Sequence, residues 1–274
     1  MVEHPGSSSP LAQYDFMSTS SKLPQSTLPP GSTIIPVISA SDQTHLTNFS
    51  GDKKAWPVYP TLGNIVFTVW NKPSTKAMIL LALLPVPPKF SKQSAVQTED
   101  QGDMNRSILH AVSEQIFQPM CSAESNGIEM SCSDGRVRRC YPILAAWLAD
   151  HEEHVTLHNL AWNCCPKCVV NPECLGELQE FPPRNHLNYQ QKIGHYNRTH
   201  DPSAIMDLAA VGLKSLYNGL WALPRVQLSE IHKSDLLHNV CLGLLKNLLD
   251  WITAFFKEHK RLDSFDEIWH SMPP

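Results

Sequence analysis

The chain has 274 residues, 42% of them hydrophobic and 18% charged, with a net charge of −4 and a pI near 6.3. That size can bury one large core or two small ones. The mildly acidic balance argues against an autonomous, strongly basic nucleic-acid-binding domain, and no run of about 18 apolar residues offers a membrane span. The N-terminus carries no apolar signal segment. The eight cysteines are therefore expected as free or metal-bound thiols in a reducing compartment, nuclear or cytoplasmic and not secreted.

Residues 1–32 are rich in Ser, Pro, Gln and Thr, a composition that cannot bury enough apolar surface to order itself; a disordered tail is expected. Residues 33–42 read as a buried strand ending in Asp42. Residues 56–65 alternate and reach a Gly63-Asn64 turn. Residues 77–86 form a third apolar run, stopped by Pro85. A polar loop is expected over 89–105, then a helix with Ile108, Val112 and Ile116 on one stripe. Asp134-Gly135 between extended arms signals a hairpin. Residues 142–150 are again apolar and end in Asp150. A polar loop is expected over 173–203, and the remainder, 204–274, reads as helical. There Ser234 is the expected N-cap, Leu237, Val240, Leu244, Leu248 and Trp251 form the apolar stripe, and Ser264-x-x-Glu267 is a capping box.

Three features could carry chemistry. Asp42 and Asp150 end two apolar segments, where rigid strand tips could hold a pair of hard cations for phosphoryl transfer; strand-end aspartates are also common where a chain reaches solvent. Cys165-Pro166-Lys167-Cys168 aims two thiolates at one tetrahedral zinc, with His186, His195, His200, His232 or His238 as possible partners. Ordinary free cysteines would look the same. Asp235 and His238, three apart at a helix start, share a face, as would a local cap. Lys53, Lys54, Arg136, Arg138 and Arg139 are candidate phosphate contacts or simply solvated charge.

The order and wording of these signals add to their weight. Leu28-Pro29-Pro30-Gly31-Ser32-Thr33, Ser41-Asp42-Gln43-Thr44-His45, Ala55-Trp56-Pro57-Val58-Tyr59, Leu62-Gly63-Asn64-Ile65, Asp134 to Arg139, Pro142 to Asp150, the Cys-Pro-Lys-Cys turn, Gly212 to Asn218 and Ser234 to Asn239 together resemble the Plavaka transposases of fungal genomes, relatives of the CACTA-type elements. The resemblance covers roughly residues 28–274.

It implies an α/β, RNase H-like mixed sheet with flanking helices over 33–172, followed by a helical C-terminal segment. It also implies DNA as partner, a possible oligomer, and cleavage and strand transfer by two-metal chemistry. Under it Asp42 and Asp150 are the first two acids, holding Mg²⁺ or Mn²⁺. Cys165 and Cys168 are a zinc turn, and Asp235 with His238 is an acid-x-x-His motif, His238 being assigned to catalysis. The family's third acid, a glutamate, and its later histidine pair lie beyond the helix at 235–258, which this sequence does not reach. A truncated, inactive transposase-derived fragment is the resulting expectation. The alternative is a non-catalytic remnant, or a co-opted zinc-dependent module binding DNA or protein.

Overall fold

A computed structural model describes residues 28–47, 53–87, 95–132 and 134–271. Most of the expected N-terminal tail lies outside them, but Leu28 and Ser32 are buried at the entry to the first strand.

That strand, β1 (Thr33–Ser41), is central in the sheet. Two short strands, β2 (Thr44–His45) and β3 (Lys54–Ala55), pair beyond it as a separate ribbon. Next comes β4 (Pro57–Leu62), antiparallel to β1 with Val37 opposite Leu62 and Ser41 opposite Val58. It ends in the expected turn, where Gly63 N–H donates to the Pro36 carbonyl at 2.8 Å. After a short helix α1 (Phe67–Trp70), the apolar run at 77–86 follows β4 as an irregular edge. Only β5 (Ala82–Leu83) is regular strand, while Ile79, Leu80 and Leu81 are exposed.

The expected loop at 89–105 is largely helix. Helix α2 (Ala95–Asn126) starts about ten residues before the predicted periodic stripe, because residues 95–101 are mostly good helix formers; residues 88–94 lie outside the described part. Its buried face is also rotated from the predicted one. Leu109, Ser113 and Phe117 point inward and Ile108 is exposed, since Phe117 packs on Trp147 of the sheet with ring centroids 5.7 Å apart.

The hairpin forms as expected between β6 (Ile128–Ser131) and β7 (Val137–Ala149). β7 is buried along most of its length, as a strand covered on both faces must be. It runs parallel to β1, with Ala40 opposite Leu148. Helices α3 (His151–Leu157), α4 (His186–Thr199), α5 (Ser203–Ala210) and α6 (Leu228–Ile231) lead to β8 (His232–Ser234), which is parallel to the end of β7. Thus β1, β7 and β8 all point one way, and their carboxyl ends share one edge. Helices cover the sheet, giving the mixed α/β fold that the sequence implied.

Three expectations about the C-terminal half are corrected. The segment 173–203 contains α4, whose His186, Tyr189 and Ile193 are buried at helical spacing. Ser234 ends a strand and caps nothing; the Leu237 N–H donates to Asp235 Oδ1 at 2.9 Å. From Leu237 to Leu245 the chain is π-helical, continuing into α7 (Lys246–Glu258). Its apolar stripe is exposed, Leu244 at 62% and Trp251 at 69%. Ser264 lies inside α8 (Leu262–Ser271), so it is no N-cap.

Candidate active site at the carboxyl edge of the sheet

Each of the three parallel strands hands over to an aspartate. Asp42 follows β1, Asp150 follows β7 and Asp235 follows β8. The registers Ala40 to Leu148 and Ala149 to Ser234 put the three in a row, and Asp235 N–H donates to the Ala149 carbonyl at 3.1 Å. Strands lie about 5 Å apart, so neighbouring tips are about 5 Å apart and the outer two about 10 Å. Asp42 and Asp150 line a cleft of about 440 Å³, with Lys54, Trp56, Arg106 and Glu153 also on its walls.

Asp150 has a structural duty as well. It caps α3, its Oδ1 accepting the Glu153 N–H at 2.7 Å. Its remaining oxygen is the one available to a cation. Behind the two tips, the buried Glu153 accepts a hydrogen bond from the Ser41 hydroxyl, and that hydroxyl accepts the Trp147 indole N–H at 2.7 Å. Burial raises the Glu153 carboxyl to about 7; the Ser41 bond opposes the shift, while the charges of Asp150 and Asp42 add to it. Glu153 therefore feels both strand-tip aspartates across the head of the cleft.

Asp235 and His238 form an ion pair. The Asp235 hydrogen bond is the main cause that raises the His238 imidazole, with further contributions from the charges of Asp42 and Asp150. Burial pushes the Asp235 carboxyl upward, yet the bonds from His238 and the Leu237 N–H hold it below its ordinary value. The acid-x-x-His pair thus belongs to the same edge as the first two acids.

The remaining candidates are dispersed. Cys165 and Cys168 are half-buried in a turn that Arg184 holds, its Nε donating to the Cys165 carbonyl at 2.7 Å and its backbone N–H to the Lys167 carbonyl at 2.9 Å. Burial raises the Cys168 thiol, and the neighbouring Cys165 thiol raises it further. Among the described residues no third ligand joins these two thiols within 4.8 Å. Lys54 reaches the cleft and Lys53 is exposed beside it. Arg136, Arg138 and Arg139 sit at or just before the opposite end of β7, roughly 36–46 Å along the chain from Asp150. There Arg138 is paired bidentately with Asp134, at 2.8 and 2.5 Å.

Glu153 and the pair His154 and His158 escape the sequence reading, and His232, a candidate partner of the cysteine turn there, lies with those two histidines instead. Glu153 looks like an ordinary first-turn acid, and only the fold places it under Ser41. His154, His158 and His232 are buried together, a ring nitrogen of each within 4.8 Å of the others. The i, i+4 spacing of the first two was readable; the approach of His232 through β8 was not. Among the described residues this is the one trio of His, Cys, Asp or Glu that closes so tightly.

A parallel-centred mixed sheet that presents aspartates to a cleft at its carboxyl edge defines an α/β protein with an acidic, cation-suited strand-tip site. Residues 12–252 match the family model described as Plavaka transposase, and the chain belongs to that family. No curated protein matches it. Membership makes the chain transposase-derived and implies DNA binding and, for the family in general, dependence on divalent metal. No helix among the described residues is long and apolar enough to cross a membrane.

Proposed function

We propose that the carboxyl edge is a metal-dependent phosphodiester cleavage and strand-transfer site, with Asp42 and Asp150 as the carboxylates that hold Mg²⁺ or Mn²⁺. The single observation that carries this reading is the delivery of Asp42, Asp150 and Asp235 to one edge by three parallel strands. The donor set fits, since hard cations favour carboxylate oxygens, and Asp42 is exposed while Asp150 keeps one oxygen uncommitted. When bound, divalent ions activate the attacking oxygen and stabilise the leaving one.

The chain's own residues do the rest. The cap to Glu153 fixes the Asp150 carboxylate. Lys54 and Arg106 on the cleft walls supply positive charge suited to a DNA phosphate. Asp235 ends the row, and its hydrogen bond favours the protonated form of the His238 imidazole beside it. His238 can then donate a proton to the departing oxygen.

A second reading has its own support. No three carboxylates among the described residues close to within 4.8 Å. That spacing favours a non-catalytic remnant, or a co-opted module that binds DNA or protein.

Mn²⁺ titration calorimetry, together with Mn²⁺-dependent nicking of supercoiled plasmid, separates the two. Asp42→Asn and Asp150→Asn should each weaken Mn²⁺ binding on the order of tenfold or more and abolish nicking. Unchanged Mn²⁺ affinity in the double variant would overturn the metal assignment. DNA binding without nicking in the unaltered chain would leave the module reading.

A further inference from the structure

The three buried histidines lie outside the acid row, and the reading above does not use them. His154 and His158 lie one turn apart in and just after α3, and His232 opens β8. They are 0%, 6% and 6% exposed. Their rings meet at centroid distances of 3.8 Å (His154–His232), 5.6 Å (His154–His158) and 6.0 Å (His158–His232).

The hydrogen bonding of the rings shows what they lack. His154 Nε2 lies 3.1 Å from the Lys233 carbonyl. A carbonyl only accepts, so Nε2 carries the proton and Nδ1 carries the lone pair. That Nδ1 is buried with no hydrogen-bond partner, and so is Nδ1 of His232. A buried polar nitrogen without a partner is costly, and one ring nitrogen of each of the three histidines lies within 4.8 Å of the others. Donation of the distal ring N–H to a backbone carbonyl is the arrangement that orients a metal-bound histidine.

We propose that His154, His158 and His232 form a structural zinc site. Three imidazoles suit zinc, and they are poor ligands for the hard ions expected at the acid row. All three rings are buried, which favours the neutral form that a zinc ligand must take. Lys167, Lys233 and Arg184 are the cations facing the cluster, and Asp150 is the opposing anion. A tetrahedral zinc would take a fourth donor, water or another side chain.

The site would tie α3 to β8 directly behind the acid row. His154 is four residues after Asp150, and His232 is three before Asp235. A bound zinc would therefore set the separation of two strand tips without touching the cleft.

The test is made on the full chain carrying Asp42→Asn and Asp150→Asn, so that the acid row cannot contribute. Metal content by plasma mass spectrometry should give one zinc per chain. That zinc should survive Cys165→Ser/Cys168→Ser, and its affinity should fall on the order of 100-fold or more in His158→Asn or His232→Asn. If those histidine variants do not fold, the cobalt-substituted chain decides. A nitrogen- and oxygen-ligated visible spectrum without thiolate-to-cobalt charge transfer supports the site. Zinc lost with the cysteines, a thiolate charge-transfer band, or no tightly bound zinc would each overturn it. None of these readouts depends on Mn²⁺ binding, so failure here and failure of the cleavage reading are distinguishable.

Discussion

Asn159 shows how much one side chain can organise. It is 1% exposed and adopts φ of +55°, a conformation that asparagine tolerates better than most residues. Its Oδ1 meets His110 Nε2 at 2.8 Å, and its Nδ2 donates to the Leu216 and Tyr217 carbonyls at 3.3 and 3.2 Å. It therefore joins α2, the end of α3 and the 213–218 segment. Asn159→Ala leaves these groups unpaired and keeps the backbone penalty, so it should lower unfolding free energy by roughly 2–4 kcal/mol in urea titration. Asn159→Gly removes the same bonds but relieves the left-handed strain, and should cost measurably less. The acid row is also a residue-scale matter. Asp42 and Asp150 were visible as strand-end acids because each follows an apolar run. Glu153 was not, because its burial depends on Ser41, 112 residues earlier.

Among the elements, those whose periodicity matched their burial were legible. β1, β4, the 128–149 hairpin and the end of β7 follow from alternation, turn residues and continuous apolar runs. α4 was missed because its polar composition hides a buried stripe of three residues, His186, Tyr189 and Ile193. The contact between α2 and the turn at Gly219–Ala222 has its own steric condition. A Cβ at Gly219 would lie 2.0 Å from the His110 carbonyl oxygen and 2.9 Å from Glu114 N. Backbone cannot yield there. Gly219→Ala should separate the two elements and destabilise the chain by about 3 kcal/mol or more, read as a lower thermal midpoint with loss of near-ultraviolet dichroism from the neighbouring Trp221. A control at Gly135, whose Cβ would meet nothing within 4 Å, should show only the smaller cost of its φ of +75°.

Across the whole molecule, buried charge sets the pH response. Glu124 is fully buried; its Oε1 accepts the Arg225 N–H at 2.7 Å, and Oε2 has no partner. Burial raises its carboxyl to about 7, against the opposing pull of Arg225. A folded pKa above the unfolded one means the folded chain holds the extra proton. This stabilisation is complete below about pH 4.5 and is lost as pH rises through about 7. Glu124→Gln should remove that decline, flattening the curve of urea stability against pH between 5 and 8 by on the order of 2 kcal/mol relative to the unaltered chain. His110 acts oppositely. Burial depresses it to about 4, so its stabilisation is present above about pH 6.5 and lost as pH falls toward 4. Comparing Glu124→Gln with the unaltered chain at every pH isolates the Glu124 contribution, because His110 is common to both. An unchanged slope in Glu124→Gln would refute the assignment.

The sequence by itself determined the mixed α/β class, the strands that end in Asp42 and Asp150, the hairpin, and the family wording around them. These are local properties, because alternation, turn chemistry and short motifs are written in neighbouring residues. Only the tertiary structure decided that β8 lies beside β7. That single pairing brings Asp235 to the acid row and His232 to His154 and His158. A three-residue strand has too little pattern to announce itself, and parallel partners reached through a crossover leave no local signal. The pairing is settled by which surfaces the intervening helices can bury, a property of the whole chain.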